Sequence, residues 1–359
     1  MIAVLQPSDL VRERPLIGTL VALMTLLLLP GCAASSGKED PKTLVVATHD
    51  SWAMSKSVLA QFTAQTGITV HVQAEGDAGE LTNRLVLTKD APLADGVFGI
   101  DNTFASRAVD EGVLAPYTSP ATPSTARPFA LTGAAGTQLT PIDFGDVCVN
   151  VDDTWFARHR LAPPRTLDDL TLPAYRGLFV TPGATTSSTG LAFLLATIVA
   201  KGSGWQDYWR RLMANGTQVT AGWTDAYEVD FTAGGGKGAR PIVTSYSSSP
   251  PFTIPKGGSR PTTHALLGTC FRQVEYAGVL AGSRNPAAMR KFIDFMLGRS
   301  FQAALPDNMY VYPVDRSVHL PRVWARFAPV APRPFTMSAA EITRHRTGWL
   351  REWRDLTSR

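Results

Sequence analysis

Between Leu44 and Asn102 the sequence alternates two hydrophobic periods. Leu44 to Thr48 is an apolar run of the buried-strand kind, and Ile68, Val70 and Val72 alternate as a second strand. Between them Val58, Leu59 and Phe62 share one side of a helical pattern that stops near Gly67. Leu81 to Leu87 reads as helix again, and Val97-Phe98-Gly99-Ile100 as another apolar strand ending at Asp101-Asn102. Strand, helix, strand, helix, strand is the layout of a mostly parallel sheet covered by helices, so the chain is expected to be α/β.

The chain has 359 residues, of which 44% are hydrophobic, enough for two domains with real cores. Its net charge of +4 is scattered and forms no basic run, which argues against nucleic acid. Arg12 and Arg14 precede an apolar run from Leu16 to Leu29, followed by Pro30-Gly31-Cys32. That run is short for a membrane span and right for a signal-peptide core. A small residue before a cysteine is the layout of a lipoprotein signal. Residues 1–31 are therefore expected to be a signal peptide, with lipid on Cys32 as a membrane anchor and 32–42 as a flexible tether. In an oxidising compartment the remaining cysteines, Cys148 and Cys270, are free to form a disulfide, and that pairing is expected.

A proline- and threonine-rich passage from Pro116 to Pro128 precedes a strand at Val147 to Val151, where the chain is expected to cross into a second lobe. Gly177 to Thr181 reads as strand, Pro182 to Thr189 as a small-residue loop, and Leu191 to Val199 as a helix. Trp205, Trp209 and Leu212 read as the core side of the next helix. Phe271 to Leu280 reads as a long strand crossing back. The last helix is expected to start at Ser338, with Glu341 completing a capping box and Ile342, Trp349, Trp353 and Leu356 as its buried stripe. This gives lobe 1 as 43–142 plus 273–337, lobe 2 as 143–272, and a C-terminal helix over 338–359.

There is no Gly-x-Ser-x-Gly elbow, no P-loop and no His-Glu-x-x-His, and the six histidines are dispersed. No catalytic residue, cofactor or metal site is expected. Five clusters are candidates for ligand contact. Gly222-Trp223-Thr224-Asp225-Ala226-Tyr227 and Ser245-Tyr246-Ser247-Ser248-Ser249-Pro250 each follow a short β-like run, where α/β sheets present ligand contacts. Trp223 and Tyr246 can stack on a flat cationic ring, and Asp225 can supply the countercharge. The competing reading makes the aromatics core and the serines a solvated turn. Thr48-His49-Asp50-Ser51 and Asp77-Ala78 are loops at strand ends; the first also reads as a helix cap, the second as a solvated loop. Ser187 and Ser188 precede a helix whose first N–H groups suit an anion such as phosphate, or simple N-capping.

Those same clusters carry a resemblance, joined by Asn83-Arg84-Leu85, Gly99-Ile100-Asp101-Asn102, Pro141-Ile142-Asp143-Phe144-Gly145, Thr186 to Leu191, Phe292 to Met296 and Tyr312-Pro313-Val314. Together they resemble the periplasmic thiamine-binding proteins of ABC importers, over roughly Leu44 to the C-terminus. The resemblance implies a two-lobed periplasmic-binding-protein-like fold of type II, each lobe a mixed sheet flanked by helices, with hinge strands between. It implies ligand contacts at Asp77, Ala78, Ser187, Ser188, Trp223 and Tyr246 through Pro250, with thiamine or a phosphate ester as ligand. It implies hinge closure and delivery to a membrane permease, and the protein is expected to be a monomer. The chain departs from the family pattern at His49, Ala78 and Thr189, where Tyr, Gly and Pro are usual; His49 would remove one stacking surface. The alternatives are another solute, such as a polyamine or ferric iron, and a thiamine-degrading enzyme on the same scaffold. Adjacent tyrosines, the usual iron ligands of related proteins, are absent.

Overall fold

The structure, a computed structural model, describes residues 42–358. The expected signal peptide, Cys32 and all but the end of the tether lie outside them. One ten-stranded sheet organises the chain. Its strands are β1 (Thr43–Thr48), β2 (Thr69–Ala74), β3 (Gly96–Asp101), β4 (Leu114–Ala115), β5 (Thr140–Asp152), β6 (Phe179–Pro182), β7 (Gln218–Thr220), β8 (Ile242–Tyr246), β9 (Thr263–Leu280) and β10 (Tyr312–Pro313). The order is β2-β1-β3-β9-β5-β8-β6-β7, with β4 beside β9 and β10 beside β5.

The sheet has two parallel ends and an antiparallel middle. β2, β1 and β3 run parallel at one end, and β8, β6 and β7 at the other. The two longest strands, β5 and β9, pair antiparallel and reach both ends, β9 against β3 and β5 against β8. β5 begins earlier than the sequence suggests, because Pro141 and Gly145 look like breaks. Pro141, which lacks an N–H, sits beside a register shift, and the ladder resumes past it. β6 begins two residues later than expected, after Gly177 at φ +71°.

Each end is flanked by its own helices, and their apolar faces join one continuous core. Phe62, from the Lys56–Thr66 helix, packs on Phe292 and Phe295 of the Pro286–Met296 helix, which also meet Phe301. At the other end Phe193, in the Ser188–Lys201 helix, contacts Phe179 and Trp209. Trp205, Trp209 and Leu212 are core residues of the Trp205–Ala214 helix, as their spacing indicates. The Ala339–Thr357 helix is capped by Ser338, whose Oγ accepts from the Glu341 N–H. Ile342 and Trp353 are its buried residues, while Trp349 and Leu356 are half-buried. Cys148 and Cys270 form the expected disulfide, tying β5 to β9.

Candidate ligand pocket

A cavity of about 180 Å³ opens where the strand ends of both parallel groups face each other across β5 and β9. It is lined from one side by His49, Asp50, Ser51, Trp52 and Asp77, and from the other by Ser188, Thr189, Trp223, Thr224, Glu228 and Tyr246. Glu275 on β9 and the segment Asn308–Val311 complete it. None of the lining residues is Lys or Arg.

The aromatic wall is built by local backbone choices. After β7 the chain enters a π-helical turn, Asp225–Asp230, a turn type frequent at functional sites. It buries Trp223, Ala226 and Tyr227 and stacks the Trp223 indole on the Tyr227 ring, 5.0 Å between centroids and 11° apart in plane. The Trp223 Nε1–H donates to Ser245 Oγ at 3.0 Å. Tyr246 lies 6.3 Å from Trp223 and donates its O–H to Gln273 Oε1. A Cβ on Gly145 would fall 2.7 Å from the Tyr246 ring, so that glycine is what lets the phenol lie across β5. Tyr310 ends the Arg299–Met309 helix in the left-handed region, φ +62°, with its ring stacked 3.6 Å from Phe252 and 5.8 Å from Trp223.

His49 follows β1. Its place depends on Gly99, which sits at a register shift in β3 with φ +98°; a Cβ there would come within 2.2 Å of His49 Cδ2. His49 Nε2 stands 3.3 Å from Glu275 Oε1. Burial works to lower the imidazole pKa, but the charge and hydrogen bond of Glu275, with the charges of Asp77 and Asp50, outweigh it and leave it raised.

Asp77 caps the Ala78–Leu87 helix, and its carboxylate accepts from the N–H groups of Ala78 at 2.6 Å, Ser188 at 3.3 Å and Trp223 at 2.9 Å. The last two come from the opposite wall, so one side chain joins both sides of the pocket. Burial raises its pKa, and the Trp223 N–H, the Ser187 hydroxyl, the Ala78 N–H and the His49 charge partly offset that.

The candidates chosen from sequence divide accordingly. His49, Asp77, Ser188, Trp223 and Tyr246 meet in one cavity. Ala78 and Ser187 are buried outside the lining; the Ser187 side chain caps the next helix through the Gly190 N–H. Ser247, Ser248, Ser249 and Pro250 also lie outside it. Their turn is internal rather than solvated: Ser247 Oγ meets Tyr312 Oη at 3.1 Å, Ser248 Oγ donates to the Tyr310 carbonyl, and Ser249 Oγ pairs with Ser245 Oγ at 2.8 Å. They hold the aromatic wall in place. Asp225 requires a correction as the countercharge: the turn that points Ala226 and Tyr227 inward leaves Asp225 exposed and outside the lining. The acids that face the cavity are Asp77, Glu228, Glu275 and Asp50. Sequence reasoning missed Glu228, Glu275 and Tyr310. Glu275 is an acid in a long strand run that the sequence marks as buried, and that is the available signal; Tyr310 has none, because its orientation follows from the backbone conformation.

Among the described residues no cluster of His, Cys, Asp and Glu is arranged to hold a metal ion. Comparison with known proteins agrees with a binding architecture. The chain is 27% identical over 355 residues to a thiamine-binding periplasmic protein of Brucella suis, covering 95% of this chain and 99% of that one. It is 28% identical over 323 residues to a thiamine-binding periplasmic protein of Escherichia coli, covering 88% and 94%. A solved periplasmic thiamin binding protein superposes with a TM-score of 0.77 at 27% identity, over 88% of this chain and 96% of that one. The fold is the two-lobed type II arrangement, a mixed sheet flanked by helices. The sequence pattern of the bacterial extracellular solute-binding proteins matches residues 52–303, and the chain belongs to that family.

Proposed function

We propose that the protein captures thiamine in this pocket and delivers it to an ABC-transporter permease, held at the outer face of the membrane by lipid on Cys32. The observation that carries the reading is the pairing of aromatic faces with acid. Trp223, Tyr246 and Tyr310 line the same cavity as Asp77, Glu228 and Glu275, no Lys or Arg lines it, and the one imidazole there, His49, is paired with Glu275. Thiamine has a permanently cationic thiazolium ring joined to a flat aminopyrimidine. A ring face attracts such a cation by about 0.5–2 kcal/mol, and the carboxylates supply the long-range attraction. Ser188, Thr189, Thr224 and Asn308 offer hydrogen-bond partners to the aminopyrimidine. The curated relatives named for thiamine, matched along nearly their whole length, support the same ligand.

Lobe 1, residues 43–142 with 273–337, and lobe 2, residues 143–272, close about β5 and β9 in this reading. The chain acts as a monomer, without catalysis. Calorimetric titration of the purified protein with thiamine, its monophosphate and its diphosphate is the test. Saturable one-to-one binding of thiamine is expected, and no heat with any of the three removes the proposal.

A further inference from the structure

Under the pocket lie three carboxyl groups in one row. Asp101 on β3 is paired in register with Glu275 on β9, and Glu275 with Asp143 on β5. Residues directly opposite one another on antiparallel strands point to the same face. All three are buried, and Glu275 also lines the cavity, with His49 beside it at 3.3 Å. Neither oxygen of Asp143 is met by a donor from the described residues, nor is Asp101 Oδ2. The other Asp101 oxygen accepts from Thr103 and from the Phe104 N–H.

Three neighbouring buried carboxylates do not all ionise at neutral pH, because burial and mutual repulsion both favour the neutral acid. Burial, then the Glu275 charge, leaves the Asp101 pKa raised to about 7 despite its hydrogen bonds from Thr103 and Phe104. Burial and the Glu275 charge put Asp143 well above the ordinary carboxyl range. His49 faces the row from the end of β1, Tyr246 from β8 and Tyr276 from β9, each close enough to feel one or more of these charges, and Asp77 bears on it through His49. Arg346 of the C-terminal helix is the nearby permanent cation, felt by Asp101 and flanked by Arg107 and Asp110. The row thus holds negative charge with protons attached, directly beneath a cavity lined by no Lys or Arg, where His49 is the one side chain that can carry positive charge.

We infer that the Asp101–Glu275–Asp143 row, with His49, selects the ligand by charge and exchanges a proton for it: a cation entering the pocket expels one proton to solvent. The O–H bond of a row carboxyl breaks, its electron pair stays on the oxygen, and water or buffer takes the proton. The sign follows from linkage: the empty pocket binds more protons than the filled one, so affinity rises with pH while the row is still protonated and falls in acid. The inference rests on the thiamine reading for the identity of the cation.

Calorimetry at pH 7 in two buffers of different ionisation enthalpy counts the protons. Release of between about half and one proton per thiamine is expected, with affinity weakening up to about tenfold per pH unit from pH 7 to pH 6. Asp101→Asn keeps an acceptor for Thr103 and Phe104 and is expected to cut the release; if it unfolds, Asp143→Asn, whose oxygens meet no donor, reads out the same loss. Thiamine binding with no proton exchange, and an affinity flat from pH 6 to pH 8, overturns the inference and leaves the thiamine reading standing. No thiamine binding at any pH overturns both.

Discussion

Trp223 is held at both ends of its ring system, by Tyr227 beneath the indole and by Ser245 at its Nε1–H. It therefore offers a ligand a fixed face at little cost in side-chain entropy. Trp223→Ala is expected to weaken thiamine binding by roughly tenfold or more, while Trp223→Phe recovers part of the loss; calorimetry reads both. An unchanged affinity in the alanine variant would return Trp223 to a purely structural role. Gly99 is the second residue with a sharp requirement. Its φ of +98° and the 2.2 Å approach of a built Cβ to His49 make Gly99→Ala a backbone and steric fault together. A loss of about 1–3 kcal/mol in urea denaturation is expected, with His49 displaced from Glu275. The aromatic and acidic partners were legible by residue type. The choice of Glu275 over Asp225 was not, because it depends on which side of a π-turn faces the cavity and on the strand pairing that carries β9 beneath it.

At the level of elements, the disulfide and the last helix make separate demands. Cys148 and Cys270 are 122 residues apart, so their link removes freedom from a long stretch of unfolded chain. Replacing both with alanine is expected to lower stability by about 2–5 kcal/mol, read by urea denaturation, with the fold retained because β5 and β9 remain paired along their length. The C-terminal helix was legible from Ser338 and Glu341 alone, since capping is a local event. The strand β5 was only half legible. A proline and a glycine within it look like breaks until the partner strand shows the ladder passing across them.

Across the whole molecule, Asp77 carries a consequence beyond its own turn. It belongs to the half of the sheet headed by β1 to β3, yet it accepts from the N–H groups of Ser188 and Trp223 in the other half. The Thr186 carbonyl adds bonds from the Gly79 and Glu80 N–H groups along the same seam. Asp77→Ala removes two cross-cleft bonds, and hinge closure in a two-lobed binder is balanced by few such contacts. The unliganded variant is expected to show a larger radius of gyration in small-angle X-ray scattering than the parent. An identical radius would place the closing contacts elsewhere.

By itself the sequence determined what is local or repeated: the α/β class, the helix ends, the core tryptophans and the aromatic clusters at strand ends. Hydrophobic period and capping chemistry are written within a few residues, so they survive without a partner. Tertiary structure alone decided which distant groups became neighbours. Asp101, Asp143 and Glu275 are far apart in the chain and adjacent only because β3, β9 and β5 pair in one register. The serines after Tyr246 became supports rather than contacts for the same reason, since Tyr310 and Tyr312 arrive from a later segment to take their hydrogen bonds. Long-range strand pairing sets those meetings, and no local pattern in a single chain encodes its register.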